Sequence, residues 1–583
     1  DRTGKLVDVA APGYYFYNHT AAKWQKFGGG GGEQDLRAVE SSAHPGLYNH
    51  LTQDAGIGGN GTSLGTGRDN IGIGRQTFGG FANTTDLTGE RNIGVGRYIY
   101  MNNGGTMSGS ANTAIGQAIL TMENGGNMQG ADNIALGNLM FNLNKANAQF
   151  TGGINIGIGF NSFFLPNGNF TGGNNTGIGS RLFQLQNGNL AGQENVGLGQ
   201  ELYYMQSGNM GGNNNIGMGK RIYTLNKTTG ALFAGWANTG IGHSIFNLSN
   251  GDLTGSSNIA MGISLYTLNS GNMGGNNNIA MGESLYTLNS GNMAGYGNIG
   301  IGQGSYYVMN GDITNTAYNN IALGTNIYRL SNSGSSTFSG NYNIGIGYRL
   351  YNLSSGNFTG TRNVGMGYSA FNISSSGNLS GSDNIGIGFN TIQSAGDIIG
   401  NSNLAIGTQS ILASGGIAGN YNIALGHQSI MANGKLAGTD NIAIGNTVLV
   451  SNNDIGSYNI GIGNQALVGM AEGNANIQIG NKDIGTPVVG QLNSVVAIGN
   501  EIGVLTTSDT YSNVILLGNN HGGDAPKIGM GTYMPKAKLH VNGSIIIAND
   551  TNTCNNDTEG AIRYDRPSKK FQGCDGSNWV NLN

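Results

Sequence analysis

Charge, proline and cysteine are all scarce in this chain. Of its 583 residues 10% are charged, 7 are proline and 2 are cysteine, and the formal net charge is −4. The basic residues are neither clustered nor interleaved with aromatic ones, so nothing points to a nucleic-acid partner. No apolar run reaches the roughly eighteen residues of a membrane-spanning helix. The histidines, His19, His44, His50, His243, His427, His521 and His540, are scattered and include no i, i+4 pair of the helical zinc type. Two cysteines make no metal quartet, and the acidic residues are too few for calcium-binding repeats. No cofactor or metal is expected.

Glycine is what the chain has in excess. Its 107 glycines, with so few charges, exclude the composition of an ordinary globular enzyme. They lack the every-third order of collagen. Disorder is not expected, because Ile, Leu, Met and Tyr return at fixed places.

The returning phrase is Asn, apolar, Gly or Ala, apolar, Gly. Its asparagines are Asn70, Asn92, Asn112, Asn133, Asn155, Asn175, Asn195, Asn215, Asn238, Asn258, Asn278 and Asn298, then Asn320, Asn343, Asn363, Asn384, Asn403, Asn422, Asn441 and Asn459. Spacings run from 18 to 23 residues and are most often 20. Weaker copies begin at Asn476, Val495, Val514 and Lys527. Such a period marks a solenoid, whose copies bury their apolar faces only by stacking.

Within Asn258–Gly275 the opening phrase alternates, Ile259 and Met261 to one side and Asn258, Ala260 and Gly262 to the other. A second short strand, Ser264–Leu268, and a turn at Asn269–Asn272 complete the coil. The fold class expected is all-β: an elongated parallel β-solenoid (β-roll or β-helix) of about 20-residue coils, with small β modules at both ends. About 23 coils at the inter-strand distance give a rod on the order of 110 Å long. The asparagines are expected to form a buried amide ladder. The bare Gly/Ala face is expected to admit another backbone, that of a neighbouring subunit. Tyr203, Tyr266, Tyr286 and Tyr306 share a phase and are expected to form an aromatic stripe, either packed between subunits or open to sugar rings.

The array is flanked by different material. Residues 1–27 read as a β-hairpin-like module, 28–53 as a Gly-rich hinge and lead-in, 54–531 as the solenoid, and 532–583 as a C-terminal β module. Gly13, Tyr17, Asn18, Lys23, Trp24 and Gln25 match Gly560, Tyr564, Asp565, Lys570, Phe571 and Gln572 at one constant offset, so the two ends are expected to share a hairpin. A start at Asp1 is expected to follow removal of a signal peptide or precursor. In an exported chain Cys554 and Cys574 would close one disulfide; in a reducing cytoplasm they would be free thiols. The whole-chain picture favours export and the disulfide.

The phrases NIGIG (Asn70–Gly74) and NIAIG (Asn441–Gly445) resemble the head repeats of trimeric autotransporter adhesins. GNNNIGMG (Gly212–Gly219) and ANTAIG (Ala111–Gly116) resemble repeats of tail-fibre-like and surface proteins of bacteria and their phages. Pro535–Ile545 and Gly560–Leu582 resemble segments near the ends of such fibre proteins. The resemblance implies a homo-oligomer, as a trimer or end-to-end polymer, with a cell-surface or carbohydrate receptor. This chain departs from the adhesins in its longer period and in lacking a coiled-coil stalk and membrane anchor. An extracellular structural fibre or adhesive surface filament is the first expectation, and a phage or phage-like tail fibre in the virion tail the second. A polysaccharide-degrading tailspike ranks last, because Glu123, Asp132, Glu194, Glu201 and Glu283 fall one per coil at different phases.

Overall fold

In the computed structural model the described residues comprise most of the repeat strands and their corners between 67 and 517. They are continuous from 378 to 468, include most of 528–582, and add four short strands at 15–18, 23–26, 37–40 and 48–51. The chain is all-β, with one short 3-10 helix, Asn556–Thr558, among the described residues.

Each opening phrase from Asn70 to Val514 forms a strand of three to five residues, and these strands pair in parallel with neighbouring copies. The copy at Lys527, expected to close the solenoid near residue 531, instead pairs its Ile528–Met530 strand with Leu539–Val541 in a separate two-stranded sheet. The ladder begins at Ile71–Ile73, continues through strands such as Ile385–Phe389 and Leu404–Thr408, and reaches Ile515–Leu517. Pairing is in register, so like stacks on like: Ile385 on Leu404, Gly386 on Ala405, Ile387 on Ile406 and Gly388 on Gly407. A second sheet is built from Phe371–Ile373, Ile392–Ser394, Ile411–Ala413, Ile430–Ala432 and Leu449–Ser451. A third wall is a line of single bridges through Phe358, Leu379, Ile398, Ile417 and Leu436. The repeat is therefore a β-solenoid coil, because no segment within it has the length to build an independent core.

The core corrects the expected role of the bare face. In the opening strands only the second residue is buried among the described positions, and that residue is Gly, Ala or, once, Gln478; the Ile, Val, Leu and Met residues beside it stay partly exposed. The second sheet has the opposite pattern, burying the first and third residue of each strand, such as Phe371 and Ile373. Large side chains of one wall thus fill the coil, and the facing wall has room for little more than a hydrogen or a methyl. A Cβ on Gly386 would lie 3.1 Å from Thr391 Oγ1 and 3.5 Å from the Phe371 ring. On Gly94 it would lie 3.2 Å from Ile99 Cγ2 and 3.2 Å from the Tyr100 ring. What approaches the bare face is the chain's own second wall, not another subunit.

The corner before each opening strand has its own backbone requirement. The residue preceding the asparagine has a positive φ in coil after coil, with 58° at Asp69, 59° at Ile154 and 57° at Tyr342. An N–H···O bond to the previous coil holds it, as Ile154 N donates to Ala131 O at 2.9 Å. Left-handed geometry costs a β-branched residue most and asparagine least. Ile154→Asn is therefore expected to stabilise its coil by roughly 0.5–1 kcal/mol, which hydrogen exchange of the Ile156–Phe160 amides would register as added protection. Unchanged or faster exchange would refute the strain assigned to Ile154.

At the N-terminal side, Arg37–Glu40 and Tyr48–Leu51 pair antiparallel, and the second of these joins the ladder beside Ile71–Ile73. The Gly28–Glu33 stretch lies outside the described residues. The two chain ends carry hairpins of the same register. Asn18 pairs Lys23, Tyr17 pairs Trp24 and Phe16 pairs Gln25; Asp565 pairs Lys570, Tyr564 pairs Phe571 and Arg563 pairs Gln572. The C-terminal hairpin gains a third strand, Trp579–Asn581.

Candidate functional site

Beneath the surface runs the asparagine column. From Asn92 to Asn476 the backbone N–H of each asparagine donates to the Oδ1 of the one before it, as Asn92 to Asn70 at 2.9 Å and Asn476 to Asn459 at 3.0 Å. Side-chain amides add a second bond: Asn112 Nδ2 donates to Asn92 Oδ1 at 3.0 Å and to Gly130 O at 2.9 Å. Asn133, Asn155, Asn175, Asn195, Asn215, Asn258, Asn278 and Asn298 repeat the Asn-to-Asn amide bond at 2.7–3.1 Å. An Oδ1 accepting two bonds and an Nδ2 donating two is a fully used amide, which is what deep burial demands. The ladder is buried, with Asn403 at 1% exposure, so it holds the stack and faces no ligand.

Outside, two side-chain columns flank each buried middle residue. The first and third positions of the opening strands hold Ile, Val, Leu or Met throughout, except Thr113, Thr176 and Thr239. Among described residues none of these positions is buried; Ile406 is 39% and Ile444 38% exposed. With strands about 4.8 Å apart and the columns roughly 7 Å apart, the strip covers roughly 700 Å². The largest apolar patch on a typical monomer is about 300–600 Å². The sequence carried this signal in the complete absence of charge and amide at two positions of every copy.

Charge sits instead on the corners. Arg362 meets Asp383 of the next coil through two bonds, 2.6 Å from Nε and 2.7 Å from the terminal nitrogen, which holds the Asp383 carboxyl below its ordinary range. Arg68 Nε lies 2.9 Å from Glu90. Contrary to the different phases expected, Asp132 and Glu194 share a corner column, each preceding a ladder asparagine. They are three coils apart, about 14 Å at the strand spacing, which exceeds the ~5–9.5 Å of a hydrolytic carboxylate pair. Glu283 lies on a strand end, where Gln303 Nε2 donates to it at 3.3 Å. Glu123 and Glu201 are outside the described residues, as are Tyr203, Tyr266, Tyr286 and Tyr306. Aromatic stacking does occur elsewhere on the surface. Tyr348, Tyr368 and Phe389 stack at 5.0 and 4.9 Å, and Tyr296 and Tyr318 at 5.0 Å. Among the described residues no group of three or more metal-capable side chains is present, and no helix is long and apolar enough to cross a membrane.

The C-terminal module is locked differently. Cys554 and Cys574, both buried, form a disulfide with a Cα–Cα distance of 5.4 Å. Asn555 caps the short helix that follows Cys554, its side chain accepting from Asp557 N and Thr558 N. On one face of the three-stranded sheet the Arg563 guanidinium lies 4.1 Å over the Trp579 ring and donates to Gln572 Oε1 at 2.9 and 2.8 Å. Arg563 also donates to Asp550 O, and Trp579 Nε1 to Asn552 O, so this face clamps the incoming segment. Replacing both cysteines by serine is expected to cost the module about 3 kcal/mol, the loop-closure value for a cross-link of this span. Proteolysis of 550–582 would then begin at lower denaturant while the coils stay protected. Equal resistance with and without the cross-link would refute that cost.

No protein-family model, no curated protein and no solved structure matches this chain, so the reading of these surfaces rests on their own chemistry.

Proposed function

We propose that this chain is the rod subunit of an extracellular structural fibre or adhesive surface filament, in which copies associate side by side through the outward apolar ladder. The observation that carries the reading is that ladder: apolar but for three threonines, free of charge, and larger than the largest apolar patch of a typical monomer. A second copy is its natural occupant. It alone has the same rung spacing and length, and the strip matches the roughly 800 Å² per partner of a stable interface. The disulfide suits an oxidising exterior.

The test is light scattering on the purified chain beside a triple variant, Ile387→Lys, Ile406→Lys and Ile444→Lys. All three positions point away from the coil interior, so the fold persists by circular dichroism. The parent is expected to be a multimer and the variant a monomer. Because the strip lacks charge, the multimer is expected to survive about 1 M NaCl, where the screening length is about 3 Å. A monomeric parent, or a variant that assembles as the parent does, would sink the proposal.

A further inference from the structure

A ladder of like rungs binds well but cannot count. Shifting one copy along another by a single rung sets Ile against Leu in place of Ile against Ile and forfeits only the terminal contact. Register must then come from something that occurs once per chain.

The C-terminal sheet meets that requirement: its hairpin has a counterpart at the N-terminal end, but among the described residues only the C-terminal one gains a third strand, which brings Val580 and Leu582 to its face. Its register sets Ile562, Tyr564, Phe571, Gly573, Val580 and Leu582 on one face, opposite the face that carries Arg563 and Gln572. Four of these are large, apolar and half-exposed: Ile562 at 55%, Phe571 47%, Val580 49% and Leu582 47%. Together they offer a few hundred Å², well short of the roughly 800 Å² per partner of an interface that stands alone. They suffice for a partner already held nearby, because tethering makes the second contact effectively intramolecular. The disulfide and the clamp on 550–552 keep the face rigid, which lowers the ordering cost of using it.

We propose that this face is a register-setting contact: it packs on the same face of a neighbouring copy, so that laterally associated rods run parallel with their C-termini level. The inference rests on the assembly proposed above. It differs in what it controls, since the ladder supplies the hold and the module supplies the alignment.

The experiment uses the full chain with an Ile444→Cys reporter on the outward column, oxidised under mild conditions. In parallel, level copies the reporters face each other and form reporter-to-reporter disulfides in high yield. Adding Phe571→Lys and Val580→Lys, with the Cys554–Cys574 bond verified by mass, is expected to leave the scattering mass unchanged while the cross-linked fraction falls several-fold. An undiminished fraction overturns the register proposal and leaves the ladder standing. Loss of mass in that variant also overturns it, by showing the face to be a principal hold. A parent chain that assembles without reporter links overturns the level, parallel arrangement, and a monomeric parent overturns both proposals.

Discussion

Asn403→Ala is expected to open the solenoid at one coil at a cost on the order of 4 kcal/mol. Asn403 Nδ2 donates to Asn384 Oδ1 at 3.0 Å and to Gly419 O at 2.9 Å, and its Oδ1 accepts from Asn422 N at 3.0 Å and Asn422 Nδ2 at 2.9 Å. Truncation strands the Gly419 carbonyl, the Asn422 N–H and one Asn422 amide hydrogen. Each orphaned buried group costs about 1–3 kcal/mol. In a stack whose stability is a sum over neighbours, the loss stays local. Hydrogen exchange should accelerate in Leu404–Thr408 and Ile423–Leu425 and remain unchanged beyond Ile460.

A matched control lies two residues away. The Asn401 side chain also belongs to a ladder, its Oδ1 accepting from Ser382 N at 2.7 Å and its Nδ2 donating to Asn420 Oδ1 at 3.2 Å, but this outer ladder is exposed. Water replaces the lost side-chain partner there, so Asn401→Ala should cost under about 1 kcal/mol. Equal effects at 401 and 403 would refute the account based on burial. Asn403→Asp adds a pH test. Burial against the Gly419 carbonyl raises the acid's folded pKa above its unfolded value. Stability is then fully retained below the unfolded pKa and lost as pH rises through the folded one.

Gly407→Ala is the second large effect, expected at about 3 kcal/mol or more. The glycine ending each phrase has φ between 107° and 148° in coil after coil, and at Gly407 it is 125°. An added Cβ would run into the carbonyl oxygen of Gly426 in the next coil and reach 3.0 Å from Ser410 Oγ. Both the conformation and the space forbid it, and repair would require spreading the ladder. Gly386→Ala should cost about 1 kcal/mol or less, because its nearest neighbours are beyond 3.0 Å and Ala405, Ala424 and Ala443 already occupy the equivalent position. Denaturation of the two variants side by side decides the matter. A Gly386 variant as damaged as the Gly407 one would show that inward space, not backbone conformation, limits this phrase.

These contrasts show which parts of the fold could be read directly. Two glycines of one phrase, Gly386 and Gly388, look equivalent in sequence. One is small because Thr391 and Phe371 lie across the coil, and the other because its φ is 131° and Gly407 stacks on it. The positive φ before each asparagine was likewise invisible, since that position holds residues as unlike as Asp69, Ile154 and Tyr342. The apolar face at 562–582 could not be read from the Tyr564 and Phe571 match alone, because it depends on the third strand that closes the module.

By itself the sequence determined the period, the strand at each NIGIG phrase, its two-residue alternation and the amide column. These follow from local parity and from the identity of stacked copies, which need no knowledge of the opposite wall. Only the tertiary structure decided which side of each strand is inside. Alternation defines two faces without orienting them. Their direction is set by the left-handed corner that turns the chain and by the bulk of Phe371, Ile392 and Ile411 across the coil. That bulk turns Gly and Ala inward and leaves the isoleucines facing out.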